Sequence, residues 1–84
     1  MGEVQLAQTR NQDAVTSFQL VIDYAQEHSY RLLEAYAQRS QGKAYCAMGD
    51  HKKAEEAFGQ AIALFQALNM QKEVEITQQE LKMC

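Results

Sequence analysis

Hydrophobic residues recur every three or four positions along almost the whole chain, which is the spacing of one face of an α-helix. Three such sets cover residues 14–25, 33–48 and 54–68. Each set is broader than the single seam of a helix pair, as expected for helices that pack on two neighbours. The pattern predicts an all-α fold with helices near residues 2–8, 12–27, 30–48, 51–68 and 71–82.

Turn residues separate these predicted helices. Gly49–Asp50 is the clearest break, because Gly ends helices and Asp caps the start of the next one. Ser29 and Asn69 mark two softer breaks. A fourth turn is predicted at residues 9–10, with Asn11 and Asp13 supplying oxygens for the helix that follows. Because the connections are short, successive helices should run antiparallel.

An internal repeat becomes visible when the chain is shifted by 40 residues. The shift places Gly on Gly, Phe on Phe and one turn former on another. The matched pairs include Gly2 with Gly42, Ala14 with Ala54, Phe18 with Phe58, Ile22 with Ile62, and Ser29 with Asn69. Most of these positions suit packing rather than surface chemistry. A period of this length indicates a stack of repeated helix pairs.

Residues 42–61 resemble a tetratricopeptide repeat. That family has Gly and Tyr three residues apart, a turn Gly, and then Ala, an aromatic residue and Ala, which correspond in order to Gly42, Tyr45, Gly49, Ala54, Phe58 and Ala61. Ala14 and Phe18 are the counterparts in the preceding repeat. The resemblance implies antiparallel helix–turn–helix repeats stacked as a short right-handed α-solenoid. The 40-residue period is similar to the longer-repeat variety found in regulatory and signalling proteins.

The phase of the repeat predicts one domain over residues 1–84 that holds about two repeats cut out of phase. Residues 1–10 align with the end of a first helix, and residues 71–84 with the beginning of another. Stacked repeats bury their apolar faces only against neighbours. The chain is therefore interpreted either as a fragment of a longer array or as a small protein that self-associates. Its ragged ends and apolar last helix motivate self-assembly as an alternative function.

The resemblance also implies a binding groove, because in this family the first helices of each pair line a concave surface. The corresponding positions here are Tyr36, Arg39, Ser40, Lys43, Ala47, Gln79, Glu80 and Met83, with Glu3 and Leu6 on the other side. Arg39 and Lys43 lie four residues apart on one helical face. Such a pair can bind a peptide carboxylate, with Arg as a bidentate donor and Lys as a point charge. The alternative is that both belong to the solvated side of an amphipathic helix.

Composition and charge exclude several classes of function. The net charge of −3 and the pI near 5.2 do not suit a nucleic-acid or membrane-surface binder. No apolar run approaches the roughly 20 residues of a membrane span, and no secretory signal is visible. The two cysteines are far apart in the sequence. Together these features predict a cytoplasmic protein with free thiols.

Catalytic and metal-binding motifs are not apparent. Cys46, His51 and Cys84 lack the sequence spacing of a zinc site, and the scattered carboxylates form no acid–base pair. We therefore predict no enzyme activity, catalytic residue, metal or cofactor. An ordinary helical bundle with Cys46 as a nucleophile stays an alternative.

The functional hypothesis is a protein–protein interaction module in a larger regulatory or signalling protein, which binds a peptide or partner helix in its groove. The alternative is a structural or capping segment of a repeat array that mediates self-association. Neither alternative involves nucleic acid or a membrane.

Overall fold

Four helices make up the part of the chain that the computed structural model describes, namely the backbone of residues 2–84 and the side chains of residues 10–84. They are α1 (Gly2–Glu27), α2 (Arg31–Ala47), α3 (His51–Ala67) and α4 (Gln71–Met83). Each helix packs against the next along the chain. The predicted all-α repeat fold is confirmed. None of the four described helices combines the length and the apolar character needed to cross a membrane.

The three interhelical loops share one geometry. Each has a single residue in the left-handed region, at Ser29 (φ 59°), Gly49 (φ 82°) and Asn69 (φ 58°). The amide of the following residue donates to the carbonyl five positions earlier, in the pairs Tyr30 to Ala25 (2.8 Å), Asp50 to Tyr45 (3.0 Å) and Met70 to Phe65 (2.9 Å). This is the Schellman ending of a helix. Ser29 and Asn69 lie 40 residues apart, so the loop geometry repeats with the period seen in the sequence.

Asp50 connects the second loop to α3. Its carboxylate oxygen Oδ1 accepts a hydrogen bond from the backbone amide of Lys53 at 3.3 Å, as expected of a helix cap. Tyr30 and Met70 occupy the corresponding positions before α2 and α4 and make no side-chain cap. Only α3 among these three helices is therefore capped by a side chain.

The turn predicted at residues 9–10 is wrong, because α1 continues as one helix from Gly2 to Glu27. Asn11 and Asp13 lie inside it and do not start a new helix. The physical reason is the absence of a strong helix breaker. Neither Gly nor Pro occurs between Gly2 and Gly42, and Asn or Asp within a helix costs only a few tenths of a kcal/mol, about 0.7 at most.

A close contact joins α2 to α3. Gly42 faces the ring of Phe58, and a Cβ atom built on Gly42 would lie only 3.0–3.1 Å from three ring carbons. Phe58 itself is 1% exposed. Among the other packing positions, Ala54 and Ala61 are buried, Ala14, Phe18 and Tyr45 are half-buried, and Gly49 is exposed in its loop.

The end of the core is closed by α4. Val74 packs with Ala35, Ala61 and Phe65, all of them at most 1% exposed. Thr77, one turn further along α4, is also fully buried, and its hydroxyl donates to the Glu73 carbonyl at 2.8 Å. Of the apolar residues of the last helix, Val74 is thus buried within the chain, whereas Met83 is 78% exposed.

A buried glutamine joins α2 to α1. Gln41 is 4% exposed, and its amide nitrogen donates to the Val15 carbonyl at 3.0 Å and to Gln19 Oε1 at 3.2 Å. The resemblance places a large apolar residue at this position. Here hydrogen bonds across the interface satisfy the polar side chain instead.

Candidate functional site

The face formed by α2 and α4 carries most of the residues predicted to bind a partner. We define the α2–α4 face by Tyr36, Arg39 and Lys43 of α2 with Glu73 and Glu80 of α4. The two helices are two steps apart in an antiparallel succession, so they run in the same direction. Side chains from corresponding turns therefore lie side by side.

An ion-pair network occupies the middle of this face. Arg39 Nη1 lies 2.9 Å from Glu73 Oε2, and Arg39 Nε lies 3.5 Å from Glu80 Oε2. Lys43 Nζ lies 3.7 Å from Glu80 Oε1. The Arg39, Glu73 and Glu80 side chains are each only 21–22% exposed, whereas that of Lys43 is 56% exposed. The two cations are thus balanced by two carboxylates of the same chain.

The two carboxylates were not recognised as partners of the cations from sequence. Glu80 is one of the predicted groove residues, whereas no role is predicted for Glu73. A signal existed, because residues seven apart return to the same face of a helix. Glu73 and Glu80 thus share one face of α4, as Arg39 and Lys43 share one face of α2. That the two faces meet follows only from the placement of the helices.

Tyr36 provides the aromatic surface of the α2–α4 face. Its ring meets Phe65 edge to face, with the centroids 5.3 Å apart. The guanidinium carbon of Arg39 lies 5.9 Å from the Tyr36 centroid. The residue is nevertheless 39% exposed. The ring is therefore fixed from below by the core while part of it faces solvent.

The remaining predicted binding residues differ in their exposure to solvent. Ser40 is half-buried, Ala47 and Gln79 are exposed, and Met83 is 78% exposed near the end of α4. Glu3 and Leu6 lie outside the residues whose side chains are described. The structure therefore brings Tyr36, Arg39 and Lys43 together with Glu80.

An exposed apolar patch next to Tyr36 was missed from the sequence. Tyr30, Leu32 and Leu33 are 50%, 45% and 40% exposed, and with Arg31 they line a shallow hollow that reaches Tyr36. Leu33 was assigned to an apolar stripe directed at the core. The helical period alone did not reveal which edge of that stripe stays uncovered.

Cys46 and Cys84 form a disulfide, with their Cα atoms 5.7 Å apart. The prediction of two free thiols is therefore wrong. Their separation of 38 residues hid the pairing, but it is close to the 40-residue repeat. Cys46 near the end of α2 and Cys84 at the end of α4 thus occupy almost equivalent places on parallel helices.

His51 lies beside this disulfide. As the first residue of α3 it follows the loop that leaves α2, and its Nδ1 is 3.4 Å from Cys84 Sγ. The ligand atoms of Cys46, His51 and Cys84 all lie within 4.8 Å of one another. Spacing along the sequence gave no indication of this cluster, because its three members come from three different helix ends.

The fold is that of a helical-repeat protein, in which pairs of antiparallel helices stack side by side. The α2–α4 face is formed by the first helix of each of two successive pairs. Comparison with known families agrees, because the tetratricopeptide repeat family matches residues 1–67. The chain belongs to the tetratricopeptide repeat family. Neither the curated proteins nor the solved structures gave a match. Tetratricopeptide repeats generally mediate protein–protein interaction and form a non-catalytic family.

Proposed function

We propose that the protein binds a peptide or partner helix along the α2–α4 face. The observation that carries this proposal is Tyr36, a partly exposed aromatic ring that Phe65 holds in place from below. Aromatic side chains are frequent energetic anchors of interfaces. A ring that is already ordered loses little conformational freedom when a partner binds.

The ion pairs set the charge that a partner should carry. Arg39 is held by two carboxylates, whereas Lys43 is more exposed and makes one longer contact at 3.7 Å. Lys43 is therefore the cation that an incoming carboxylate reaches first. Such a carboxylate also competes with Glu80 for Arg39. Of the two cations predicted to bind a carboxylate, Lys43 is therefore the one that we propose to contact the partner first.

The geometry of α2 predicts the spacing of the partner's groups. Tyr36 and Lys43 are seven residues apart, which is two helical turns and about 10 Å along the axis. The partner's apolar side chain, which contacts Tyr36, and its carboxylate, which binds Lys43, should be separated by the same distance. That distance corresponds to about three residues of an extended peptide or two turns of a partner helix.

A displayed library of random twelve-residue peptides, selected against the whole protein, tests the binding proposal. Selected peptides should combine an apolar residue and an acidic residue at either spacing. Tyr36→Ala and Lys43→Glu should each weaken binding of such a peptide by about thirtyfold or more, the range of an interface hot spot. Affinity would be measured by fluorescence anisotropy.

Matched controls lie away from the α2–α4 face. Tyr24→Ala removes an exposed tyrosine of α1, and Lys52→Glu reverses an exposed charge at the start of α3. Both variants should bind the selected peptide as the unaltered protein does. Equal loss in a control and a face variant would reject this face as the binding site. Arg39 is not suited to this test, because its replacement also breaks the ion pairs to α4.

Self-association, the alternative function, is supported by exposed apolar residues of α1 in addition to Met83 of the last helix. Val74 of the last helix is buried within the chain, but Leu20 and Tyr24 of α1 are 67% and 51% exposed. Sedimentation velocity over a hundredfold concentration range tests this alternative. Concentration-dependent dimers that Leu20→Glu abolishes would support it, and a strict monomer would remove it.

A role inside a larger regulatory or signalling protein, and a location in the cytoplasm, stay predictions. The disulfide removes the free thiols on which the prediction of a reducing compartment was partly based. The regulatory or signalling role still rests on the resemblance to longer-repeat members of the family.

A further inference from the structure

The ends of three helices bring two cysteines and a histidine to one point. We define the Cys–His cluster as Cys46 at the end of α2, His51 at the start of α3 and Cys84 at the end of α4. Their three potential ligand atoms lie within 4.8 Å of one another. Cys46 and Cys84 are half-buried and His51 is exposed, so the cluster is accessible from solvent.

We propose that the reduced form of the Cys–His cluster is a zinc-binding site. Two thiolates and one imidazole are ligands that Zn²⁺ prefers. In a tetrahedral site with Zn–S bonds of about 2.3 Å, neighbouring ligand atoms lie about 3.8 Å apart. His51 Nδ1 and Cys84 Sγ are already 3.4 Å apart. Once the disulfide opens, the two sulfur atoms must separate to about this ligand–ligand distance.

The chemistry balances as two consecutive steps. A dithiol reductant transfers two electrons and two protons to the Cys46–Cys84 disulfide, which becomes two thiols while the reductant becomes a disulfide. Zn²⁺ then replaces the two thiol protons, which are released to solvent, and neutral His51 binds through Nδ1. The two thiolates neutralise the charge of the ion. Water fills the fourth position.

Disulfide and zinc are therefore mutually exclusive states of one cluster. Both tie the end of α4 to α2, and zinc additionally binds α3 through His51. The cluster lies beside Lys43 and Glu80, which line the same hollow as the two cysteines. This inference does not depend on the proposed partner, because it concerns residues outside the α2–α4 face.

Cobalt titration of the whole protein tests the site. The protein is reduced with a phosphine, freed of reductant under anaerobic conditions and titrated with Co²⁺, which reports tetrahedral thiolate ligation by its visible and charge-transfer absorption. One Co²⁺ per chain should bind, and Zn²⁺ should displace it. The oxidised protein should give no such absorption.

Two histidine variants separate a three-ligand site from a pair of thiols. His51→Ala should weaken Co²⁺ binding by at least about tenfold, since even the loss of a group that only orients a ligand costs this much. His28→Ala is the matched control, because His28 packs against Tyr24 and Tyr30 instead, and its affinity should match that of the unaltered protein. Circular dichroism of each variant verifies that the helices are retained.

Three results would overturn the proposal. The first is no thiolate–cobalt absorption in the reduced protein. The second is equal affinity in His51→Ala and the unaltered protein, which would leave only a dithiol ligand. The third is one Co²⁺ for every two chains, which would mean that cysteines of separate molecules share the ion.

Discussion

Helix α2 packs against α1 and α3 by two different kinds of contact, although the two residues responsible, Gln41 and Gly42, are adjacent in the sequence. On the α3 side, Gly42 leaves space that the Phe58 ring fills, and a Cβ atom at Gly42 would lie 3.0–3.1 Å from three ring carbons. On the α1 side, Gln41 reaches across and donates to Val15 and Gln19. One interface depends on the fit of volumes and the other on directed hydrogen bonds.

This difference determines how each interface should respond to substitution. A close apolar contact loses free energy when atoms are removed and also when they are added. When the donor of a hydrogen-bonded contact is removed, the loss of free energy depends on whether the acceptors find other partners. The Val15 carbonyl lies within α1, so it also accepts the bond of the helix itself, and Gln19 is exposed to water. The α1 side should therefore tolerate more change than the α3 side.

Phe58→Ala should have the largest effect on folding stability. The ring is 1% exposed and packs on Gly42, and such a truncation costs about 3–5 kcal/mol. A domain of this size has a total stability of about 4–13 kcal/mol. Urea unfolding followed by circular dichroism should show a large loss, up to complete unfolding. A loss below about 1 kcal/mol would mean that the interface readily collapses around the missing ring.

Gly42→Val should come next, with a cost of about 1–3 kcal/mol from overpacking. Gly59→Val is the matched control, because Gly59 is also helical but a Cβ atom there meets nothing within 4 Å. The control should change the free energy of unfolding by no more than about 0.5 kcal/mol, in the stabilising direction. The same urea measurement compares the two variants.

The combination of Gly42→Val with Phe58→Ala sharpens this test. Because the missing ring leaves space for the added carbons, the double variant should be more stable than the sum of the single effects by about 0.5–3 kcal/mol. Strict additivity would show that Gly42 and Phe58 do not act on each other. If Phe58→Ala alone unfolds the chain, Phe58→Leu replaces it in the cycle.

The residues of these two interfaces also show what the sequence could predict. Gly42 and Phe58 stood at positions of the family pattern, and their volumes alone indicated a close approach. Gln41 departed from that pattern. Its hydrogen-bond partners, Val15 and Gln19, lie on another helix, so spacing within α2 could not identify them. The same reason applies to the candidate sites. Arg39 and Lys43 stand at groove positions that the family resemblance implies, and their spacing places them on one helical face. The pairing of Arg39 with Glu73 and the Cys46–Cys84 bond, by contrast, required the relative placement of two helices.

The smallest effect is expected at Gln41, and it depends on the replacement. Gln41→Ala removes two hydrogen bonds and most of a buried side chain, with an expected cost of about 1–2 kcal/mol. Gln41→Leu keeps most of the volume, and the acceptors it abandons have other partners, so its cost should stay below about 1 kcal/mol. Urea unfolding of both variants against the unaltered protein gives the two values.

The order of these two values decides whether the comparison holds. If Gln41→Leu costs as much as Gln41→Ala, the directed bonds themselves hold α1, and both interfaces of α2 are then equally intolerant. If Gln41→Leu is nearly neutral, filled volume is sufficient on the α1 side as well. The glutamine would then satisfy its own polar group without contributing much net stability. In that case the α1 interface of α2 tolerates more side-chain substitutions than the α3 interface does, because only the contact between Gly42 and Phe58 is tightly packed.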